Sequence, residues 1–355
     1  MQPETAPPPS ALAGLSPACF AMVMATGIVS LAARAQGFAS IASALFVLNI
    51  AAWLVFCALS LLRVVRYPKR VLADLADHLR GPGFFTTVAA TAVLGSQFAL
   101  FGTSDLLAMA LGVIAAVLWL CFTYAIFTAF TIKQDKPPLE RGINGAWLLA
   151  VVATQSLAVL GAIVAARLPQ HFGLELNFFA LSMWLFGGML YIWMMSLIFY
   201  RYTFFAFGPG DLTPPYWINM GAMAISALAG SLLIANAPDA PLLQALLPFI
   251  KGFTVLYWAT GTWWIPMLLV LSAWRYLYMR FPMRYDPLYW GAVFPLGMYC
   301  ACTHEMASAL GLDFLGGLVS VFLYAALAAW AVAFIGLLRR LLRMRRDAAS
   351  GLATG

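Results

Sequence analysis

Charge is scarce in this chain: 9% of its 355 residues are Asp, Glu, Lys or Arg. The surface of a soluble domain needs about 25–35% of such residues, so the composition leaves no room for a soluble domain of any size. Acidic residues and histidine are missing from the middle of every long apolar run. Proton relays inside membranes normally carry such groups there. The five cysteines, Cys19, Cys57, Cys121, Cys300 and Cys302, all lie in apolar runs, which implies no disulfide framework. The opening stretch MQPETAPPPSALAGLS has no basic residue and reads as a Pro-rich tail, not a cleavable signal. There is no glycine-rich dinucleotide fingerprint after a strand, no Walker sequence and no histidine pair for haem. An enzyme, an ATP-driven pump and a cofactor are therefore not expected. Cys300, Cys302, His304 and Glu305 cluster in sequence, but Cys-x-Cys on a helix splays its thiols, so no metal site is expected. His304 and Glu305 are adjacent and point in different directions, which makes no relay face.

What is abundant is apolar length. The chain is 63% hydrophobic, with a mean hydropathy of +0.89. A spanning helix needs about 20 apolar residues. Ten such runs follow one another, at about 17–35, 41–62, 83–101, 105–131, 144–167, 175–202, 216–237, 247–274, 287–306 and 311–341. The fold class expected is all-α, a polytopic protein of ten transmembrane helices, with a tail at 1–16, a membrane domain at 17–341 and a basic tail at 342–355. All but three of the 20 lysines and arginines fall in alternate loops or in the C-terminal tail. The exceptions are Arg34, Arg167 and Lys251, and the last can snorkel. The positive-inside rule then puts both termini in the cytoplasm of a cell-membrane protein. The net charge of +7 is a topology signal, and no nucleic-acid partner is needed to explain it.

Odd and even runs differ. Run 1 places Met22, Thr26 and Ser30 on one helical face, and run 3 does the same with Thr87, Thr91 and Gly95. Run 7 repeats the pattern with Asn219, Met223, Ser226 and Gly230, and run 5 adds Thr154 and Gln155. Even runs are longer and rich in Trp, Leu and Phe. Small and polar faces in a bilayer usually meet other helices; their recurrence favours a shared central feature. Odd runs also begin alike, at Ser16-Pro17, Gly81-Pro82, Thr213-Pro214 and Asp286-Pro287. Starts recur about every 60–70 residues, as five tandem helical hairpins would. Converging helix N-termini, each worth roughly +0.5 charge, together with Arg280 and Arg284, would attract small anions to a cytoplasmic mouth. Run 9 stands apart, with Phe294-Pro295 near its middle and Gly291 and Gly297 on either side. A large ring beside a proline bend is placed to plug a path.

Three segments carry a resemblance: FAMVMATGIVSLA (20–32), GPGFFTTVAATAVLG (81–95) and YWGAVFPLGMY (289–299). They are similar to the tellurite-resistance/dicarboxylate transporter family, which includes tellurite-resistance proteins, malate permeases, sulfite efflux pumps and plant slow anion channels. The likeness runs through all ten spans. It implies five hairpins around a central pore lined by the odd helices, commonly as a homotrimer in the lipid bilayer. It also implies a phenylalanine that occludes the pore, at Phe294 here. The expected partners are small inorganic or carboxylate anions. The expected function is channel-like or uniport anion transport, mainly export. The alternative is a proton-coupled carrier for C4-dicarboxylates such as malate, or for sulfite. The pore-lining residues expected are Thr26, Ser30, Thr87, Thr91, Gly95, Thr154, Asn219, Ser226, Gly291 and Gly297.

Overall fold

The computed structural model describes residues 12–283 and 285–352. Most of the expected N-terminal tail and Arg284 lie outside the described residues. Ten long helices follow in order: α1 (Ala21–Ala35), α2 (Ala39–Arg66), α3 (Phe85–Leu100), α4 (Asp105–Ile132), α5 (Leu149–Ala165), α6 (Gln170–Phe204), α7 (Ile218–Asn236), α8 (Leu247–Ala273), α9 (Trp290–Leu310) and α10 (Gly316–Leu352). No strand occurs among the described residues. With their opening turns, nine of these helices are long and apolar enough to cross a membrane. The other is α9, whose 21 residues include Thr303, His304 and Glu305. The last helix runs on through the basic stretch that was expected to be a separate tail.

Burial sorts the helices into two layers. The apolar windows of α1, α3, α5 and α7 are 72–100% buried, against 17–50% for the even-numbered helices. All 17 residues of α5 are buried. A helix that is apolar and buried all round belongs inside, and one that shows apolar residues outward belongs against lipid. The inner helices close a ring: α1 packs on α3, α3 on α5, α5 on α7, α7 on α9, and α9 on α1. Each also packs against the helix that follows it.

Local sequence sets the start of each inner helix and the end of three of them. All five open with a 3-10 turn: Pro17–Phe20, Gly81–Phe84, Gly145–Leu148, Pro214–Trp217 and Pro287–Tyr289. Proline fits the first turn because its missing N–H would be unpaired there. Ser16 and Asp286 cap by accepting from the N–H groups of Ala18 and Leu288 at 3.2 and 2.8 Å. The third start lacks the proline, and there Asn144 accepts from Ala146 N at 2.9 Å. Neighbouring turns touch in sequence around the ring, so the helix starts converge. At the other end, Gly37, Gly102 and Gly311 turn the chain with φ of +83°, +67° and +68°. A side chain is strained in that left-handed region, and glycine is not.

Candidate functional site

The ring encloses a cavity of about 270 Å³ in the C-terminal halves of its helices. Every inner helix lines it: Ile28 and Leu31 of α1, Val93 and Ser96 of α3, Ser156 and Val159 of α5, Ile225 and Leu228 of α7, Met298 and Ala301 of α9. The wall is mostly apolar. Its ionisable groups are Arg34, His304 and Glu305, close to the helix ends. The Arg34 guanidinium lies 4.4 Å over the Phe101 ring. Nε2 of Gln36 lies 3.1 Å from Nδ1 of His304, tying the end of α1 to α9. His304 and Glu305 both border the cavity, although adjacent positions on a helix diverge. A wall that α9 presents broadly accommodates the turn of about 100° between them.

One helical turn nearer the helix starts, the same faces carry Met24, Ala89, Val152, Gly221 and Phe294. All five are buried, Phe294 completely, and none borders the cavity. Phe294 shares a face of α9 with Met298, Ala301 and Glu305. It is the only aromatic residue in this layer. Gly221 is needed there for a further reason: a Cβ on it would meet Pro295 Cγ at 2.8 Å. The close approach of α7 to α9 thus sets the residues around Phe294. Thr26, Thr87 and Thr91 were expected to line the path with Phe294; helical register from the cavity wall puts Met24, Ala89, Val152 and Gly221 at its level.

The hydroxyl stripes point another way. Indole Nε1 of Trp53 on α2 donates to Thr91 Oγ1 at 3.1 Å, and that of Trp119 on α4 to Thr154 Oγ1 at 2.8 Å. Trp258 on α8 donates to Thr303 Oγ1 at 3.0 Å, and Trp330 on α10 to Thr26 Oγ1 at 3.0 Å. Trp184 on α6 donates at 2.8 Å to the backbone carbonyl of Ser226, whose own hydroxyl bonds Ala222 O. Each outer helix therefore reaches the inner helix of the next pair, and the last reaches the first. Thr26, Thr91 and Thr154 serve this circle and do not border the cavity. An i, i+4 stripe marks a face of a helix without saying what that face meets. The sequence reading assigns the tryptophans no role, yet they recur about every 65–75 residues in step with the hydroxyls, as a repeat partner would.

The remaining expected lining residues also turn to neighbours. Ser30 Oγ donates to Ala42 O of α2 at 2.8 Å, and Asn219 Nδ2 to Tyr202 Oη of α6 at 3.1 Å. A Cβ on Gly95 would meet Leu160 of α5 and the backbone of Ala108, and one on Gly297 would meet Ile28 and Val29 of α1. Gly291 faces Pro215. Thr87 is half-buried and lends its carbonyl to Thr91. Arg280 is exposed, in a left-handed conformation with φ of 50°. The residues that do line the cavity, Ser96, Ser156 and Met298 among them, each come one position after a residue the sequence singled out (Gly95, Gln155, Gly297) and so lie about 100° further round the helix.

Comparison with known proteins matches residues 14–338 to the voltage-dependent anion channel family. The chain belongs to this family. An uncharacterized membrane protein of Mycobacterium tuberculosis is 38% identical over 152 residues, which is 43% of this chain and 77% of that one. Two uncharacterized transporters of Methanocaldococcus jannaschii are each 26% identical, over 302 and 301 residues. They cover 83% and 81% of this chain, and 85% and 82% of their own lengths. The resemblance read from the three motifs is thus a true kinship, and the coarse function of this anion-channel family member is anion transport across a membrane. Its relatives are named as transporters and membrane proteins, not as enzymes.

Proposed function

We propose that the chain is a channel-like uniporter for small anions, with its path along the axis of the inner ring and Phe294 as its gate. One observation carries the reading: a cavity lined by all five inner helices stops one turn short of a layer whose largest side chain is Phe294. Below Arg34, His304 and Glu305 the wall offers no titratable side chain. A narrow, neutral, weakly polar path selects by charge and size. In this reading α9 also crosses the bilayer, as the ninth of ten spans, both termini are cytoplasmic, and the cavity opens outward. A negative cell interior then drives anions outward, by about 2.3 kcal/mol per charge per 100 mV. Sulfite, chloride and carboxylates are the candidate cargoes, and a homotrimer is the assembly the family suggests. Flux of these anions into vesicles holding the reconstituted protein tests the function directly. Flux that follows voltage and ignores a pH gradient is the expected result.

A proton-coupled carrier of dicarboxylate or sulfite is the second reading, because His304 and Glu305 border the same cavity. Flux that needs a proton gradient, and that loses this need in Glu305→Gln, would establish the carrier in place of the channel.

Topology gives one prediction. A reporter fused after Gly355 is expected to work only inside the cell; activity outside would turn the molecule over, with the cavity opening to the cytoplasm, and leave the voltage-driven direction of flux unchanged. Surface charge gives another. Arg280→Gln is expected to lower flux more at low salt than at high salt, since exposed charges are screened beyond about 8–10 Å at physiological ionic strength. A loss that is equal at all ionic strengths would assign Arg280 to folding or topology.

A further inference from the structure

A second cavity lies outside the ring, in a groove of about 840 Å³ between α8, α9, α10 and the turn that opens α7. Its polarity is graded along its length. Arg275, Tyr276, Tyr289 and Arg339 stand at one end. Two to three helical turns away, about 10–16 Å at 1.5 Å per residue, the wall is Leu268, Leu296 and Ala328. All three helices keep this order, whichever way they run. Val332 and Met283 of its wall, and Leu277 next to Tyr276, are strongly exposed apolar side chains.

Arg275 is the unusual member. It is 8% exposed, and its Nε has no hydrogen-bond partner. Among the described residues its cation lies over two rings, Phe281 at 4.3 Å and Tyr276 at 5.1 Å. The two other buried arginines are differently provided. Arg63, whose Nε is also unpaired, donates through Nη2 to Asp74 and to Ala13 O, and Arg201 donates to Glu140 O and Tyr216 Oη, beside Asp211. A buried guanidinium without an acceptor is costly, and a bidentate oxyanion is what its fork fits. The segment around it is built irregularly: Trp274–Tyr278 is a π-helical turn, a rare form that is frequent at functional sites.

We propose that this groove binds one anionic phospholipid, with the phosphate on Arg275 and Arg339 and an acyl chain along Leu268, Leu296 and Ala328. A basic end joined to an apolar floor at the membrane surface matches such a lipid and no water-soluble anion. Ala292 and Val293, the two residues before Phe294, form part of the wall, so the bound lipid braces the start of α9. The site itself does not depend on how anions cross the ring.

The full chain in neutral detergent, titrated with phosphatidylglycerol and separately with phosphatidylcholine of the same chains, tests the site. Native mass spectrometry and thermal unfolding are the readouts. One phosphatidylglycerol per chain is expected, bound about tenfold or more tightly than phosphatidylcholine, as loss of a charge-assisted contact predicts. Arg339→Gln should weaken binding several-fold and Arg275→Gln should remove it. Ala329→Phe, which keeps both arginines and fills the groove, should also remove it, and carries the test should Arg275→Gln fail to fold. Equal binding of the two lipids, no binding of either, or binding unchanged by Ala329→Phe would overturn the proposal. So would the same stabilisation by inorganic phosphate alone, or a change in oligomeric state in place of lipid loss.

Discussion

Phe294→Ala is expected to raise anion conductance about tenfold or more, since each ~1.4 kcal/mol taken from a barrier is a factor of ten in rate. The cavity that all five inner helices line ends one turn short of Phe294. At its level the other helices offer Met24, Ala89, Val152 and Gly221, so in the proposed path the phenyl ring is the main rigid obstacle. An anion cannot shed its water in an apolar constriction without replacement ligands, and such a point blocks by dewetting. Removing the ring wets it. The rival account is that Phe294, fully buried, merely fills a core. Truncation would then cost about 3–5 kcal/mol of packing and bring no current. Phe294→Leu separates the two further, since it retains most of the packing and should give an intermediate conductance. Folded Phe294→Ala protein with wild-type or lower anion current would remove the gate from this residue.

Much of this was legible in the chain, and the limit has a physical cause. The proline-led starts fixed where inner helices begin, because a proline and a capping side chain act locally. The third start lacks the proline; the apolar run alone puts it at about 144, where Asn144 caps the turn. The motif YWGAVFPLGMY put Phe294 on the axis side, and the register with Met298 and Ala301 supports that placement. The threonines were another matter. Outer helices are apolar toward lipid and toward the ring, and inner helices are buried on every side. Such a helix carries no amphipathic signal of which face meets the axis. A hydroxyl stripe therefore looks the same whether it faces water or an indole. Only pairing each threonine with a tryptophan on the outer helix before it in the ring resolves this. α9 shows a related limit: its polar residues lower the apolarity that marks a span, and its place in the ring is what identifies it.

Replacing one tryptophan of the circle is the other large effect expected, and Trp184→Ala is the strongest case. Trp184 is fully buried, and its Nε1 donates to Ser226 O at 2.8 Å. Its own carbonyl accepts from Gln155 Nε2 at 3.0 Å, so α5, α6 and α7 meet at this residue. The ring lies edge-on to Tyr257 at 5.5 Å and packs where Gly230 leaves space for it. Truncation should cost about 3–5 kcal/mol, as large aromatic deletions in cores do. Thr26→Val removes the hydrogen bond to its indole, Thr91→Val and Thr154→Val remove two each because those hydroxyls also donate to Thr87 O and Ala150 O, and all three keep the shape. They should cost about 0.6 kcal/mol on average and no more than about 2, the range for such bonds between membrane helices. A Trp119→Phe, Thr154→Val double-mutant cycle, read by unfolding in detergent, should return a coupling in that range. None of the threonine variants should change anion selectivity, because their hydroxyls hold indoles away from the axis. If Trp184→Ala were no worse than Thr154→Val, the circle would not be what fastens the outer helices to the ring. If the valine variants altered selectivity at unchanged stability, those hydroxyls would face the permeating anion after all.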